Sequence, residues 1–279
     1  MKRTLLVLLA WVALSAAALA DGDKRLVILH TNDTHSTILP VSPLIEDTMK
    51  ADRGGFLRRI ALVEAERTKD PELLLFDSGD FSQGSPYYTL FKGDVESGLM
   101  NLMHYDAGTI GNHEFDFGLE NMARVFRNLN FPIVCSNYKF HEYDLDHTVK
   151  PYVILRRRGI KIGVFGLGPR LDGLVDHKNY RSTEYLDPVA TAQQMADLLH
   201  RKGCQFVICL SHLGWEESGM GDQEVISHTR GIDLVLGGHS HTYFKTLRYV
   251  RNLDGKPVPD DQNGKSALFV GKIKATFSR

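Results

Sequence analysis

The feature that most restricts the folding of this chain is a series of apolar runs, at 25–29, 73–76, 131–135, 152–155, 161–166, 205–210 and 232–236, in which polar residues hardly alternate with apolar ones. A strand with one wet face alternates with period two, so a run without alternation reads as a strand covered on both faces. Helical patterns lie between several of these runs. Residues 55–67 put Phe56, Ile60 and Val63 on one stripe, and 119–129 do the same with Met122, Val125 and Leu129. Residues 188–202 open on Pro188, which suits a first helical turn, and close before Gly203. Strand, loop, helix, strand is the rhythm of an α/β layer fold. The C-terminal part differs: 242–250 and 266–278 read as β-rich segments joined by a turn-forming stretch, NLDGKPVPDDQNG at 252–264. No repeat or linker divides residues 21–279, which are expected to form one domain.

Polar clusters follow the apolar runs. Asp33 and His35 come after the first run, Asp77 and Asp80 after the second, and His113 after the short stretch from Ala107 to Ile110. His212 comes after 205–210, and His239 and His241 after 232–236. Ligands of open α/β sheets bind outside the carboxyl ends of the strands, which is where each cluster is expected. Two apart in an extended segment, Asp33 and His35 would point the same way. Glycines before Asp80, Asn112 and His239 permit tight bends and close backbone approach.

Together the clusters offer Asp carboxylates, an Asn carbonyl and several imidazoles, without a thiolate. Such mixed oxygen and nitrogen donors suit Zn²⁺, Mn²⁺, Fe or Co²⁺. Two Asp carboxylates, one Asn carbonyl and four or five imidazoles are too many ligands for one ion and suit two divalent ions with positions left for water. A carboxylate can bridge ions about 3.5–4 Å apart, and such a pair acidifies water and neutralises phosphoryl oxygens. Phosphate esters are the natural substrate of that arrangement.

The blocks LHTNDTH (29–35), GD (79–80), GNHEFDFG (111–118), SH (211–212) and GGHSHT (237–242), in this order, resemble the 5′-nucleotidase branch of the calcineurin-like metallophosphoesterases over about residues 25–245. The resemblance implies a four-layer α/β/β/α sandwich, which run lengths alone do not separate from a single doubly wound sheet. It implies that Asp33, His35 and His241 hold one ion, that Asn112, His212 and His239 complete the second, and that Asp80 bridges them. His113 would lie near the leaving group, partnered by Asp116, rather than bind metal. A histidine oriented by a carboxylate can donate a proton to a departing alkoxide.

The activity so implied is release of phosphate from nucleoside 5′-monophosphates or related phosphomonoesters. Hydrolysis of 2′,3′-cyclic phosphodiesters or nucleotide-sugar pyrophosphates is the alternative. A non-enzymatic metal-binding partner subunit on the same scaffold is an alternative of another class, although such a module would have no need of His113 and Asp116. The resemblance also implies a C-terminal domain that supplies the nucleoside pocket, which these 279 residues do not include. A separately encoded nucleoside-binding protein is the expected source, ahead of action alone on broader esters or a fragmentary sequence.

Several residues have plainer readings. Asp77 is either support for Asp80 or a strand-end cap, His30 a near-core histidine, Asn137 structural, and Arg53 a solvated basic turn. Glu114 has no assigned metal role, and His104, His141, His147, His177, His200 and His228 are ordinary surface or helix residues. Three motifs fail on inspection. His113-Glu114 begins like a zinc-protease helix but is followed by Phe117 where the second His belongs, Gly166-x-Gly168 meets Leu171 in place of its third glycine, and Gly264-Lys265-Ser266 has Pro259 where a phosphate loop starts with Gly.

The N-terminus reads separately. Lys2 and Arg3, an apolar stretch from Leu5 to about Val12, and small residues ending Ala18-Leu19-Ala20 describe a secretory signal peptide, residues 1–20, cleaved after Ala20. A periplasmic or secreted protein without a stable membrane anchor is expected. Charge is balanced, 33 Lys+Arg against 34 Asp+Glu, without the basic face that a nucleic-acid binder normally shows, so no nucleic-acid duplex is expected as a partner. Cys135, Cys204 and Cys209, sparse and odd in number, read as small core residues.

Overall fold

Every one of the apolar runs contains a strand, and the packing explains why none alternates. The computed structural model describes residues 23–48, 50–215 and 220–278; the expected signal peptide at 1–20 lies outside them. One six-stranded sheet has the spatial order Gly271–Phe277, Lys24–Thr31, Leu74–Asp77, Ala107–Gly108, Ile133–Val134, Val149–Lys150. The other has the order Arg248–Arg251, Pro257–Asp261, Leu234–Leu236, Phe206–Ser211, Ile160–Leu167, Tyr152–Arg157. Inner neighbours are parallel, and antiparallel strands close the edges at Gly271–Phe277, Arg248–Arg251 and Tyr152–Arg157.

The two sheets pack face to face and each carries helices outside, giving four layers, α/β/β/α. Leu26, Ile28, Leu74 and Phe76 of the first sheet meet Ile162, Val164, Ile208 and Leu236 of the second. On the first sheet's other face, Leu29 and Leu75 pack on Phe56 and Val63 of helix Phe56–Lys69 and on Met122 and Phe126 of helix Gly118–Asn128. Val207, Cys209 and Val235 of the second sheet pack on Ala192, Ala196 and Leu199 of helix Pro188–Arg201. That helix starts as expected, with Pro188 in its first turn and the Asp187 side chain accepting from the Ala190 amide at 2.7 Å. Each large aliphatic or aromatic side chain buried in this way contributes about 1.5–3 kcal/mol. All three cysteines are buried free thiols. Among the described residues, no helix is long and apolar enough to cross a membrane.

The C-terminal part departs from the sequence reading. The stretch 252–264 is not only a turn: Pro257–Asp261 is a strand, parallel to Leu234–Leu236 and antiparallel to Arg248–Arg251. Its two prolines and two aspartates argue against a strand by propensity. Val258, packed in the second sheet's helix-side core, and the pairing on both sides override that local preference. The flanking β-rich segments end in different sheets, Arg248–Arg251 in the second and Gly271–Phe277 in the first.

Gly166, the start of one rejected motif, has a packing role instead. A Cβ at this position would overlap the Val134 carbonyl oxygen and the Thr109 hydroxyl, both in the opposing sheet or its loops, and the Gly166 carbonyl accepts from Ser136 N at 2.8 Å. Backbone cannot move aside as a side-chain tip can. Gly166→Ala is therefore expected to cost about 3 kcal/mol or more, lowering the melting temperature by roughly 6–12 °C. Circular dichroism melts would check this, and an unchanged transition would refute the inter-sheet contact.

Candidate metal centre

The carboxyl ends of the parallel strands from both sheets meet at one edge of the sandwich. Ser78, just past Leu74–Asp77, ties them: its hydroxyl donates to the Leu236 carbonyl at 2.8 Å, and its carbonyl lies 2.6 Å from His212 Nδ1. Asp33 N donates to Gly79 O at 2.9 Å and His35 N to Asp80 O at 3.0 Å, so the first two loops run side by side.

Asp33 and His35 do not sit in an extended segment, as alternation suggested. Their φ values are 47° and 43°, and Asp80 (55°), His239 (72°) and His241 (55°) are also left-handed. Such conformations cost non-glycine residues on the order of 1–3 kcal/mol each and persist where the surroundings impose them. Five of the seven expected donors carry this strain, and tight turns rather than strand periodicity bring them together.

The resulting distances are short. His241 Nε2 lies 3.4 Å and His35 Nε2 3.8 Å from Asp33 Oδ1, and the two imidazole nitrogens are 2.9 Å apart. His212 Nε2 lies 3.2 Å from Asp80 Oδ2 and 3.8 Å from Asp33 Oδ1. Donor atoms within 4.8 Å of one another form three overlapping groups: Asp33, His35 and His241; Asp80, His212 and His239; and His35, Asp80 and His113. The first holds the three residues expected for one ion, the second holds His212 and His239 of the other expected set together with Asp80, and the third brings in His113, which was not expected to bind metal. Asn112 is buried, and its Oδ1 has no hydrogen-bond partner.

These donors fit divalent ions. His212 Nδ1 faces the Ser78 carbonyl and must donate to it, which turns the Nε2 lone pair toward two carboxylates. Lone pairs and anions repel unless a cation lies between them. Without an ion, a proton takes that place: burial would lower the pKa of His212, but Asp80 and Asp33 raise it to about 10. Burial pushes the Asp80 carboxyl up, and His212 more than offsets it, holding Asp80 well below the usual range. Burial, reinforced by the neighbouring His212, brings His239 down to about 4, so its ring is neutral near pH 7, the form that binds metal.

Close approach explains two glycines. A Cβ at Gly111 would overlap Asp80 Oδ1, and one at Gly238 would lie 2.8 Å from His212 Nδ1 and 3.1 Å from Asp33 Oδ2. His113 and Asp116 meet at the rim, with Nδ1 3.0 Å from Asp116 Oδ2 and 3.2 Å from Oδ1. His113 N donates to Asp80 Oδ1 at 2.9 Å, and its ring packs edge-on against His35 with centroids 5.4 Å apart.

Glu114 has no role legible from its sequence position, yet it holds the site together. Its buried carboxylate accepts from Asp80 N at 3.0 Å, Gly111 N at 2.7 Å and Ser82 N at 3.1 Å. Burial, with Asp80 next in effect, raises its pKa to about 7. Its place inside the GNHE block was the only available signal. Glu114→Ala would orphan three amides at about 1–3 kcal/mol each if water does not replace the carboxylate. The variant is expected to melt lower and to retain less metal than Glu114→Gln, by thermal unfolding and elemental analysis. Equal metal content in the two variants and wild type would remove Glu114 from this role.

Asp77 serves as a strand-end cap, accepting from Thr31 Oγ1 at 2.6 Å and Gly79 N at 3.0 Å. His30 is fully buried and lies 2.9 Å from Asp261 Oδ2, a core role. Asn137 is structural, bonded to Gly168 through both its oxygen and its nitrogen. His104, His141, His147, His177, His200 and His228 join none of the three groups. Arg53 is exposed but lines a cavity that also contains His241.

Residues 26–243 match the family model described as calcineurin-like phosphoesterase. The chain is 32% identical to a snake venom 5′-nucleotidase of Crotalus adamanteus over 98% of this chain and 48% of that protein. The crystal structure of a 5′-nucleotidase precursor from Thermus thermophilus superposes with a TM-score of 0.84 at 30% identity, covering 91% of this chain and 52% of that one. The structure of the Haemophilus influenzae NAD nucleotidase superposes with a TM-score of 0.79 at 27% identity, covering 92% and 48%. The chain thus spans about half the length of the curated relatives it matches.

Proposed function

Since the chain belongs to the calcineurin-like phosphoesterase family, we propose that it is an exported, metal-dependent phosphohydrolase that releases phosphate from nucleoside 5′-monophosphates or related phosphomonoesters. One observation carries the reading: metal-ligating donor atoms, with His35 Nε2 and His241 Nε2 2.9 Å apart and His212 Nε2 3.2 Å from Asp80 Oδ2, are held together by loops from both sheets. In the proposed centre Asp33, His35 and His241 would hold one divalent ion and Asn112, His212 and His239 the other, with Asp80 as a ligand shared between the two sets. Bound there, the pair would acidify water and neutralise phosphoryl oxygens.

The chain's own residues supply the remaining steps. Ser78 O fixes the tautomer of His212, so that Nε2 faces inward. Glu114 holds the Asp80 loop against the Gly111 loop. Asp116 binds His113 through Nδ1 and leaves Nε2 to give a proton to the departing oxygen. A leaving-group acid favours an enzyme over a metal-binding subunit. Cleavage of 2′,3′-cyclic phosphodiesters is the weaker alternative; pyrophosphate-linked nucleotides are supported by the likeness to the NAD nucleotidase. Export rests on residues 1–20, and residues 21–279 are the proposed catalytic domain.

The direct test uses the processed chain, stripped of metal and reloaded with Mn²⁺, Zn²⁺ or Co²⁺. Two ions per chain and phosphate release from AMP, abolished by chelation and restored by one of these metals, are expected. One ion or fewer at saturation would overturn the dinuclear reading. AMP turnover that requires an added second polypeptide would favour a nucleoside-binding partner.

A further inference from the structure

A cavity of about 600 Å³ opens beside the candidate metal centre, with His241 in its wall. Arg53, Lys245 and Lys265 line it, and none has a carboxylate within ion-pair distance among the described residues. Lys50, a fourth cation of the wall, is already paired with Asp47 at 2.9 Å. Among the described residues, no acidic side chain lines the cavity. Uncompensated cations gathered around a concavity attract anions.

The same cavity has an aromatic wall. Tyr243 and Phe269 stack with ring centroids 4.1 Å apart and an interplanar angle of 22°, yet they remain 45% and 38% exposed. A rigid, exposed ring pair offers an outer face to a planar ligand at small entropic cost. The floor is also preorganised. Ser266 N donates to Asp33 O at 2.7 Å, Asn32 Nδ2 to Gly264 O at 2.8 Å, and Ser266 and Ala267 are held at φ 58° and 50°. The loop carrying Lys265 is therefore fastened to the strand end that presents Asp33.

From these features we infer that the cavity is a nucleotide subsite, taking a base against Tyr243 and Phe269 and phosphate against Arg53, Lys245 and Lys265. The catalytic half then recognises nucleotides by itself. The choice of a nucleotide over another aromatic anion rests on the function proposed above. Gly264-Lys265-Ser266 contributes a cation and a fastened backbone here without forming a phosphate loop.

Equilibrium binding to the metal-free chain in the presence of chelator tests this with no turnover. ADP, adenosine and inorganic pyrophosphate are the probes. ADP is expected to bind about tenfold more tightly than adenosine or pyrophosphate, because only ADP engages both walls. Arg53→Ala with Lys265→Ala should weaken ADP about tenfold. Tyr243→Ala should weaken ADP and adenosine but leave pyrophosphate unchanged. These side chains are exposed, and unchanged melting curves would establish that the variants fold. Absence of ADP binding, equal affinity for ADP and pyrophosphate, or ADP affinity unaffected by the double variant would overturn the inference. Intact ADP binding in a chain that releases no phosphate with any metal would sink the hydrolase reading alone.

Discussion

Asp80→Ala should lower phosphate release from AMP by about 10³-fold or more, corresponding to about 4 kcal/mol of lost transition-state stabilisation. Asp80 and His35 are each present in two of the donor groups, and Asp80 is the carboxylate so shared, with His212 and His239 in one group and His35 and His113 in the other. Its Oδ2 lies 3.2 Å from His212 Nε2, and its Oδ1 accepts from His113 N at 2.9 Å. Losing the carboxylate removes the proposed shared ligand and the anion that accepts from His113 N. Bound metal should fall from two ions per chain to one or fewer, as read by elemental analysis. Thermal unfolding of the metal-free form reports whether the fold survives. A variant that releases phosphate at the wild-type rate would end the proposed mechanism.

His113→Ala should slow AMP hydrolysis by about 10²–10⁴-fold, the range of a lost general acid. The loss should be much smaller for an aryl phosphate such as p-nitrophenyl phosphate, because a phenolate of low pKa departs without a proton. Burial lowers the pKa of His113, but the Asp116 hydrogen bond and the Asp80 charge outweigh it, so the net shift is upward. The acid form therefore persists to higher pH, and activity that needs it declines as pH rises through the raised value. Asp116→Asn removes part of the upward shift and should move this decline to lower pH. Rate against pH for both chains, with AMP as substrate, would read the displacement. Equal losses for AMP and the aryl ester in His113→Ala would show that the imidazole does not serve the leaving group.

These two predictions concern residues whose significance was visible in the sequence, whereas Glu114 was not. A glutamate in a loop carries no sign of whether it faces solvent or three backbone amides, and only the convergence of the 80 and 111 loops decides it. The strand Pro257–Asp261 was concealed similarly. Local propensity opposes it, and its reason for existing is the edge of Leu234–Leu236, more than twenty residues earlier in the chain.

By itself, the sequence determined the two-sided burial of the strands, the ends at which polar residues gather, and the donor chemistry, because each depends on residue type and short-range spacing. Runs such as Leu26 to Leu29 announce a face-to-face environment whatever the topology. Tertiary structure alone decided that Asp33, Asp80, His212 and His241 share one small volume, since loops from two separate sheets must meet for that to happen. It also decided the backbone form of the donors. A left-handed turn at Asp33 or His239 is unfavourable locally and survives only because distant hydrogen bonds, such as Asp33 N to Gly79 O, are made in the folded state.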